Sequence, residues 1–202
     1  MNRKRANALL LGMVMVFSLA ACGAKETSIT EAAPAETRDT VIIAIGSEPD
    51  TLDPTKGWGH GNAPIVQSTL VKYKADLTLE NDLATSYALS DDGLVWTFTL
   101  RDDAYFTDGE KVTASDVAFT LETAKAAQGS VDLTYMESAV AQDDTTLVVT
   151  LSKPTSIFLN TLASVGIVPE HAYGEDYGTN PMGSGPYKFV EWRAQEQILF
   201  TA

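Results

Sequence analysis

The clearest structural pattern in the chain is Ser90–Gly109, with the sequence SDDGLVWTFTLRDDAYFTDG. It begins with a turn, because aspartate and glycine at 91–93 suit the backbone conformations of a tight turn. Val95–Leu100 then combines aromatic and β-branched residues, and this composition predicts a strand. Further turns are expected at 101–103 and 107–109, where aspartate again clusters beside arginine or glycine.

This stretch therefore predicts a hairpin over 89–106. Trp96 and Phe98 are expected to pack in a core rather than contact a ligand, because they alternate along one strand. The aspartates of the turns are expected to form those turns rather than a site; they are Asp102, Asp103 and Asp108.

A capped helix follows the turns. Thr113 and Asp116 have the spacing of a capping box, with a hydroxyl at the N-cap and a carboxylate three residues later. Val117, Leu121 and Ala124 then recur at helical spacing, so a helix is predicted over 114–126.

The remaining segments alternate between apolar runs and turn signals. Strands are predicted at 41–45, 146–151, 187–192 and 197–201, and short helices at 63–73, 133–140 and about 154–163. Segments 48–62 and 166–186 are rich in proline and glycine and predict loops.

The N-terminus has the pattern of a secretory signal. The basic residues 3–5 precede an apolar stretch from Ala8 to Ala21, which is shorter than the ~20 residues of a membrane-spanning helix. Cys22 directly follows Leu19-Ala20-Ala21, so the segment resembles the lipobox of bacterial lipoproteins, in which the thiol is acylated. The alternative is an ordinary signal with a coincidental cysteine. We expect a signal peptide at 1–21, lipidation of Cys22, and a flexible spacer within 22–40, where residues are small and polar.

The net charge of the chain limits the classes of partner that it is expected to bind. Residues 1–21 hold three basic and no acidic residues, so the rest has 11 Lys and Arg against 27 Asp and Glu, a net charge of −16. Such a charge argues against a nucleic acid, whose binding depends on cations that neutralise phosphates. With one cysteine and two histidines, neither a disulfide framework nor a histidine-rich metal site is expected, and no cofactor is implied.

Four blocks of sequence together resemble one protein family. They are GSEPDTLDP at 46–54, LVKY at 70–73 with LATSY at 83–87, the stretch from Ser90 that continues to Val117, and GSGPYKF at 183–189. The chain resembles the N-terminal part of family 5 bacterial extracellular solute-binding proteins, which serve ABC importers of dipeptides, oligopeptides and nickel. The stretch from Ser90 is the specific block, because its order of turns, aromatic strand and capped helix is long.

The resemblance implies an α/β, periplasmic-binding-protein-like two-lobed fold with a mixed sheet and an inserted α+β subdomain. Over 41–202 the chain would supply the first lobe only, since members of the family are much longer. Residues 41–60 and 184–202 would form one subdomain and 61–183 the inserted one. The final strands would then lack partners, which leaves an apolar edge prone to aggregation.

The candidate ligand-binding residues are Trp58, His60 and Asn62, in the glycine-rich loop at 57–62. A tryptophan in such a loop has little local core to join, and the resemblance implies that the loop lines the cleft between the lobes. His171 is expected in a surface loop instead. Ser184 is not expected to be a nucleophile, because the spacing G-x-S-x-G is absent.

The resemblance implies a binding protein rather than an enzyme. It would be a lipid-anchored monomer that captures a small solute outside the cell membrane for an ABC permease and its ATPase, with a di- or oligopeptide as the first choice of solute. A nickel chelate or metallophore is the alternative solute. An exported hydrolase and a structural lipoprotein without a ligand are the rivals from other classes.

Overall fold

A four-stranded antiparallel sheet covered by one helix forms the centre of the fold. The protein is described here by a computed structural model, over residues 47–57 and 64–202. The strands are β1 (Val71–Tyr73), β2 (Leu79–Asn81), β3 (Ala84–Leu89), β4 (Val95–Leu100), β5 (Met136–Ala141), β6 (Thr146–Leu151), β7 (Lys188–Arg193) and β8 (Gln197–Thr201). The helices are α1 (Ala114–Ala127) and α2 (Phe158–Leu162), with 3₁₀ turns at Pro54–Lys56 and Glu170–Ala172.

The predicted strand at Val95–Leu100 is confirmed as β4. The four-stranded sheet has the order β3-β4-β6-β5, so β4 is hydrogen-bonded on both sides. Trp96 and Phe98 point into the core, as predicted, and their rings stack with centroids 6.0 Å apart. The hairpin predicted over 89–106 is wrong, because β4 does not pair with the segment that follows it. Strand β4 pairs instead with β3, which precedes the turn at 90–93, and Tyr105 forms only an isolated bridge with Lys111.

The predicted helix after Thr113 is also confirmed, as α1. The Thr113 backbone N–H and hydroxyl both donate to Asp116 Oδ2, at 2.9 and 2.8 Å. This carboxylate fixes the first turn of the helix. The helix ends at Ala127, and Gln128 adopts a left-handed conformation with φ 49° one residue before the predicted break at Gly129. The buried face of α1 consists of Ala114, Asp116, Val117, Thr120, Leu121 and Ala124.

The helix predicted at 63–73 is wrong. Its described part, from Pro64 onward, contains no helix, and its last three residues form β1. The carbonyls that a helix would use internally accept hydrogen bonds from distant parts of the chain. Val66 O accepts from Gly185 N at 2.7 Å, Ser68 O from Ile167 N at 2.9 Å, and Leu70 O from Ala84 N at 3.0 Å. Tertiary hydrogen bonding therefore overrides the helical spacing of the apolar residues.

The helix predicted at 133–140 is wrong for a similar reason. Met136–Ala141 forms edge strand β5, which pairs with β6. The backbone of β5 is also hydrogen-bonded to side chains of α1: Glu122 Oε1 accepts from the Ala139 N–H at 2.8 Å, and Lys125 Nζ donates to Glu137 O at 2.7 Å.

The helix predicted over 154–163 is shorter than expected, since α2 covers Phe158–Leu162 alone. Strand β6 and the loop at 166–186, apart from its 3₁₀ turn, follow the prediction.

The two final strands form a hairpin, as predicted. Strands β7 and β8 pair with each other and with no other strand in the described part of the chain. All strand pairs described at 47–57 and 64–202 are antiparallel. The predicted strand at 41–45, which was to join the mixed sheet, lies outside the described residues, as does the signal and spacer region. Within 47–57 and 64–202, no helix has the length and apolar character needed to cross a bilayer.

Candidate functional site

The candidate ligand-binding residues lie in a gap of the described structure. Trp58, His60 and Asn62 are outside the described residues, and so is Cys22. The structure does describe both flanks of the loop, up to Gly57 and again from Pro64. The described part of the candidate site therefore consists of the contacts that hold those two flanks in place.

The first flank is held by a buried carboxylate. Asp53 is fully buried and is the N-cap of the 3₁₀ turn that leads to Gly57. Its Oδ1 accepts from the Thr55 N–H at 2.9 Å and from the Thr55 hydroxyl at 2.7 Å. Its Oδ2 accepts from the Tyr173 hydroxyl at 2.8 Å and lies 3.4 Å from Lys56 Nζ. A buried carboxylate needs several such donors to offset its lost hydration.

The first flank also packs tightly against the end of α1. Gly57 has φ +85°, a conformation that side chains rarely adopt, and a Cβ at this position would lie 2.0 Å from Ser130 Oγ. A Cβ on Gly129 would in turn lie 2.9 Å from Lys56 O. Both glycines are required where the two backbones approach each other. Sequence reasoning found the glycine-rich loop but not this contact.

The second flank is held by the segment 177–185. Val66 O accepts from Gly185 N, and the Ser68 hydroxyl donates to Ser184 O at 2.9 Å. Gln67 is buried, and its Nε2 donates to the Tyr177 hydroxyl at 3.1 Å. The Tyr177 hydroxyl donates in turn to Met182 O. Burial raises the pKa of Tyr177, so its hydroxyl keeps its proton at neutral pH.

One segment of chain thus holds both flanks. Tyr173 bonds to the first flank and Tyr177 to the second, and their ring centroids are 5.1 Å apart. The backbone adds a further link, because Leu52 N donates to Gly178 O at 2.7 Å. Residues 173–185 were predicted simply as loop, and no local sequence signal indicates that they hold the chain more than 100 residues upstream.

A second feature lies at the start of the described chain. Glu48 Oε1 accepts from Trp192 Nε1 at 2.6 Å and from the Gln195 N–H at 3.0 Å. These two donors, with Gln195 N–H the stronger, lower the pKa of Glu48. An open depression of about 550 Å³ lies beside this contact, lined by Glu48, Pro49, Asp50, Thr179, Phe189, Glu191, Trp192 and Ala194. The blocks at 46–54 and 183–189 thus adjoin the same surface.

His171 is exposed in the 3₁₀ turn at Glu170–Ala172, which agrees with the predicted surface position. Its Nε2 lies 2.7 Å from Asp108 Oδ2. The hydrogen bond to Asp108 raises the pKa of His171, and the same bond lowers the pKa of Asp108. Asp108 therefore forms its turn, as predicted, by accepting from the Glu110 N–H, and also holds His171.

The described residues group no metal ligands, and Ser184 has no base beside its hydroxyl. Within 47–57 and 64–202, no three His, Cys, Asp or Glu side chains are grouped so that they could hold a metal ion. The Ser184 hydroxyl is buried and, among the described residues, has no hydrogen-bond partner. A serine activated as a nucleophile needs a base within hydrogen-bond reach.

Comparison with known proteins identifies the family. Residues 78–202 match the model of the bacterial extracellular solute-binding proteins, family 5 Middle. Protein XP55 of Streptomyces lividans is 37% identical over 83% of this chain and 32% of its own length. The probable D,D-dipeptide-binding periplasmic protein DdpA of Escherichia coli is 34% identical over 86% of this chain and 37% of its own length.

A solved structure extends the match to the fold. NikZ from Campylobacter jejuni, in complex with Ni(L-His), superposes with a TM-score of 0.76 at 35% identity, over 81% of this chain and 35% of that one. The chain belongs to the family 5 solute-binding proteins, and the predicted α/β, periplasmic-binding-protein-like fold class is confirmed. The chain spans about a third of the length of the relatives it matches.

Proposed function

We propose that this protein is the substrate-binding component of an ABC importer, which captures an extracellular solute for transport across the membrane. One observation carries the proposal: most of the chain matches a family of solute-binding proteins. The likeness to DdpA, a probable D,D-dipeptide-binding protein, supports a peptide as the solute. In a two-lobed receptor, such a ligand bridges the lobes and stabilises the closed state.

We assign the solute contacts to the loop between the two held flanks. Trp58 would form an apolar wall, and His60 and Asn62 would offer polar contacts. Support comes from the flanks, since Asp53 and Gln67 are buried and hydrogen-bonded on either side of the loop. A binding site benefits from such rigid support because less conformational entropy is lost on binding.

The test uses the protein expressed from its complete gene. Isothermal titration with a panel of dipeptides and tetrapeptides should show binding, and the melting temperature should rise with ligand concentration. Trp58→Ala should weaken this binding, whereas Tyr105→Ala, an exposed aromatic in a turn, should leave it unchanged. A folded protein that binds none of the peptides would count against the peptide assignment, and sustained turnover of peptide or ester substrates would count against a receptor.

A nickel chelate is the second candidate solute. The likeness to NikZ, whose structure holds Ni(L-His), favours it, and His60 could supply an imidazole. The Ni–histidine complex should then shift the melting temperature in the same assay, and His60→Ala should abolish that shift while leaving the circular dichroism spectrum unchanged. Binding of the chelate without any peptide binding would reverse the order of the two candidates.

We further propose that a lipid on Cys22 tethers the protein at the outer face of the cell membrane. Residues 23–39 would act as the spacer, so that the receptor stays at high effective concentration near its permease and ATPase. Labelled palmitate should enter the wild-type protein, and Cys22→Ser should move it from the membrane fraction to the soluble fraction. Retention of Cys22→Ser in the membrane fraction would contradict the tether. We expect the receptor to be a monomer, with the subdomains divided as the family resemblance implies.

A further inference from the structure

The outer side of strand β3 is a free edge of the four-stranded sheet. In an antiparallel pair, every second residue turns its N–H and C=O away from the neighbouring strand. The hydrogen bond from Ser90 N to Val95 O sets this alternation, so Tyr87 and Leu89 direct their backbone groups outward. In the described part of the chain, no strand pairs with this side of β3, and these outward groups make no hydrogen bond. The edge therefore presents unused donors and acceptors.

The opposite edge of the sheet, on β5, is covered by side chains of α1. Glu122 Oε1 accepts from the Ala139 N–H, and Lys125 Nζ donates to Glu137 O. These bonds occupy backbone groups that an added strand would need, which is one way in which natural sheets protect an edge. Of the two edges of this sheet in the described structure, the edge of β3 is thus the open one.

The side chains of β3 suit the addition of a further strand. Ala84–Leu89 has the sequence ATSYAL, which contains no charged residue. Tyr87 and Leu89 are 40% and 45% exposed, and the Tyr87 ring packs against Trp96 and Phe98 with centroids 5.9 Å apart in both pairs. The edge is therefore held firmly by the core. Partner proteins add a strand at edges of this kind, where main-chain hydrogen bonds supply affinity and exposed side chains supply specificity.

Carboxylates lie beyond both ends of β3. The turn that follows the strand contains the exposed Asp91 and Asp92. At the start of the strand lies an open depression of about 570 Å³, whose lining carries three carboxylates and one guanidinium. The charged residues of this lining are Asp82, Arg101, Asp102 and Asp103. Lys72 Nζ lies 3.5 Å from Asp82 and 3.7 Å from Glu80, and this lysine and glutamate together add no net charge. We call the turn and the depression the two acidic ends of β3.

The two acidic ends argue against a second copy of this chain as the added strand. Antiparallel pairing of β3 with β3 of another copy would bring the turn of each copy to the depression of the other. Parallel pairing would bring turn to turn and depression to depression. Both arrangements place like charges together, which is unfavourable. A strand with basic residues at both ends would meet opposite charges instead.

We infer that the free edge of β3 is a docking surface for an extended segment of a partner protein, in which a short uncharged run is flanked by lysine or arginine. The segment adds a fifth strand to the sheet through the outward N–H and C=O groups of Tyr87 and Leu89. Its basic flanks lie at the two acidic ends of β3. This inference does not depend on the proposed function or on the identity of the solute.

The experiment uses protein expressed from the complete gene and a labelled peptide of sequence KKVTVTKK, with both termini blocked. Fluorescence anisotropy at low ionic strength should show binding that weakens as salt is added. Hydrogen exchange measured by NMR should slow at the Tyr87 and Leu89 amides when the peptide is present. Two control peptides should not bind: EEVTVTEE, which reverses the charge, and KKVTVTKK with its four central amides N-methylated, which lacks the donors.

A pair of matched variants locates the site on the sheet. Leu89→Lys places a cation on the free edge, beside the basic peptide, and should weaken binding about tenfold. Val140→Lys makes the same change of charge on β5, at the covered edge, where Val140 is 54% exposed. This control should bind the peptide as wild type does. Both positions are exposed, so circular dichroism should show that both variants are folded.

Each result decides for or against the inference. Binding of the basic peptide with slower exchange at Tyr87 and Leu89, weakened in Leu89→Lys and kept in Val140→Lys, supports it. No binding, equal affinity in the two variants, or equal binding of either control peptide overturns it. Slow exchange of the Tyr87 and Leu89 amides in the free protein also overturns it, because the rest of the chain would then cover the edge. A dimer in sedimentation that Leu89→Lys dissociates would assign the edge to a second copy and overturn the basic partner.

Discussion

Replacement of Gly57 by alanine tests how the first flank of the candidate site is held. Gly57 has φ +85°, and an added Cβ would lie 2.0 Å from Ser130 Oγ, 2.9 Å from Ser130 Cβ and 3.0 Å from Ser130 N. Rotation of the Ser130 side chain would relieve the first contact but not the other two. Gly57→Ala therefore introduces both a strained backbone and a steric overlap.

The two costs can be estimated separately. A non-glycine residue in the left-handed region costs about 1–2 kcal/mol, and overpacking typically costs about 1–3 kcal/mol. We expect Gly57→Ala to lower the free energy of unfolding by about 2–5 kcal/mol. Gly109 is the matched control: it has φ +94°, and a Cβ there would meet no atom within 4 Å. Gly109→Ala should therefore cost about 1–2 kcal/mol, the backbone strain alone.

Urea unfolding followed by circular dichroism measures both variants. A double-mutant cycle with Ser130→Gly isolates the overlap, because that change removes Ser130 Oγ and Cβ. The cycle with Gly57→Ala should show a favourable coupling of about 1–3 kcal/mol, whereas the cycle with Gly109→Ala should be additive within about 0.5 kcal/mol. Equal costs for the two glycine variants, or additivity in both cycles, would refute the close approach of Gly57 and Ser130.

Three further predictions follow from contacts outside that turn. His171→Gln should lower the melting temperature most at pH 5–6, and the effect should shrink as the pH rises through the folded pKa of His171. The raised pKa of His171 gives stability that is fully present below its ordinary pKa of ~6.5, whereas the lowered pKa of Asp108 gives stability that is lost only toward low pH. A difference between wild type and variant that does not depend on pH would contradict this pair. Asp116→Ala should lower the free energy of unfolding, measured by urea unfolding, by about 2–4 kcal/mol. This loss exceeds the usual ~1 kcal/mol for a helix cap, because Asp116 Oδ1 also accepts a hydrogen bond from the Glu170 N–H at 3.0 Å. A loss of about 1 kcal/mol or less would show that the bond to Glu170 adds nothing to stability. Glu48→Ala should speed hydrogen exchange at the Gln195 amide, measured by NMR, because the acceptor of that N–H is removed, and an unchanged rate would indicate another acceptor.

Local sequence patterns correctly predicted the strand and the helix whose formation depends on residues close together in the sequence. Strand β4 and helix α1 appear where alternation and the capping box place them, because each depends on residues within a few positions. The helices predicted at 63–73 and 133–140 failed since apolar spacing alone does not say which backbone groups find distant partners. At Val66 and Ala139 those partners are Gly185 and Glu122, which lie far along the chain.

At the candidate site, too, features with a local sequence pattern could be predicted, whereas contacts between distant residues could not. The sequence indicated the glycine-rich loop and its tryptophan, histidine and asparagine, and their role in binding stays a prediction. It gave no sign that Tyr173 and Tyr177 hold the two flanks, because a tyrosine in a loop has no local pattern that identifies its partner.

Sequence patterns alone were enough to predict the family, the fold class and the elements with local signals, since turns, alternation and caps act over a few residues. The order of strands in the sheet, the conformation of 64–70 and the hydrogen bonds to Asp53 became visible only in the folded protein. These depend on buried polar groups, which must be paired wherever the fold brings a donor or an acceptor within reach. Asp53 and Tyr173 are 120 residues apart in sequence, yet the Tyr173 hydroxyl lies 2.8 Å from Asp53 Oδ2.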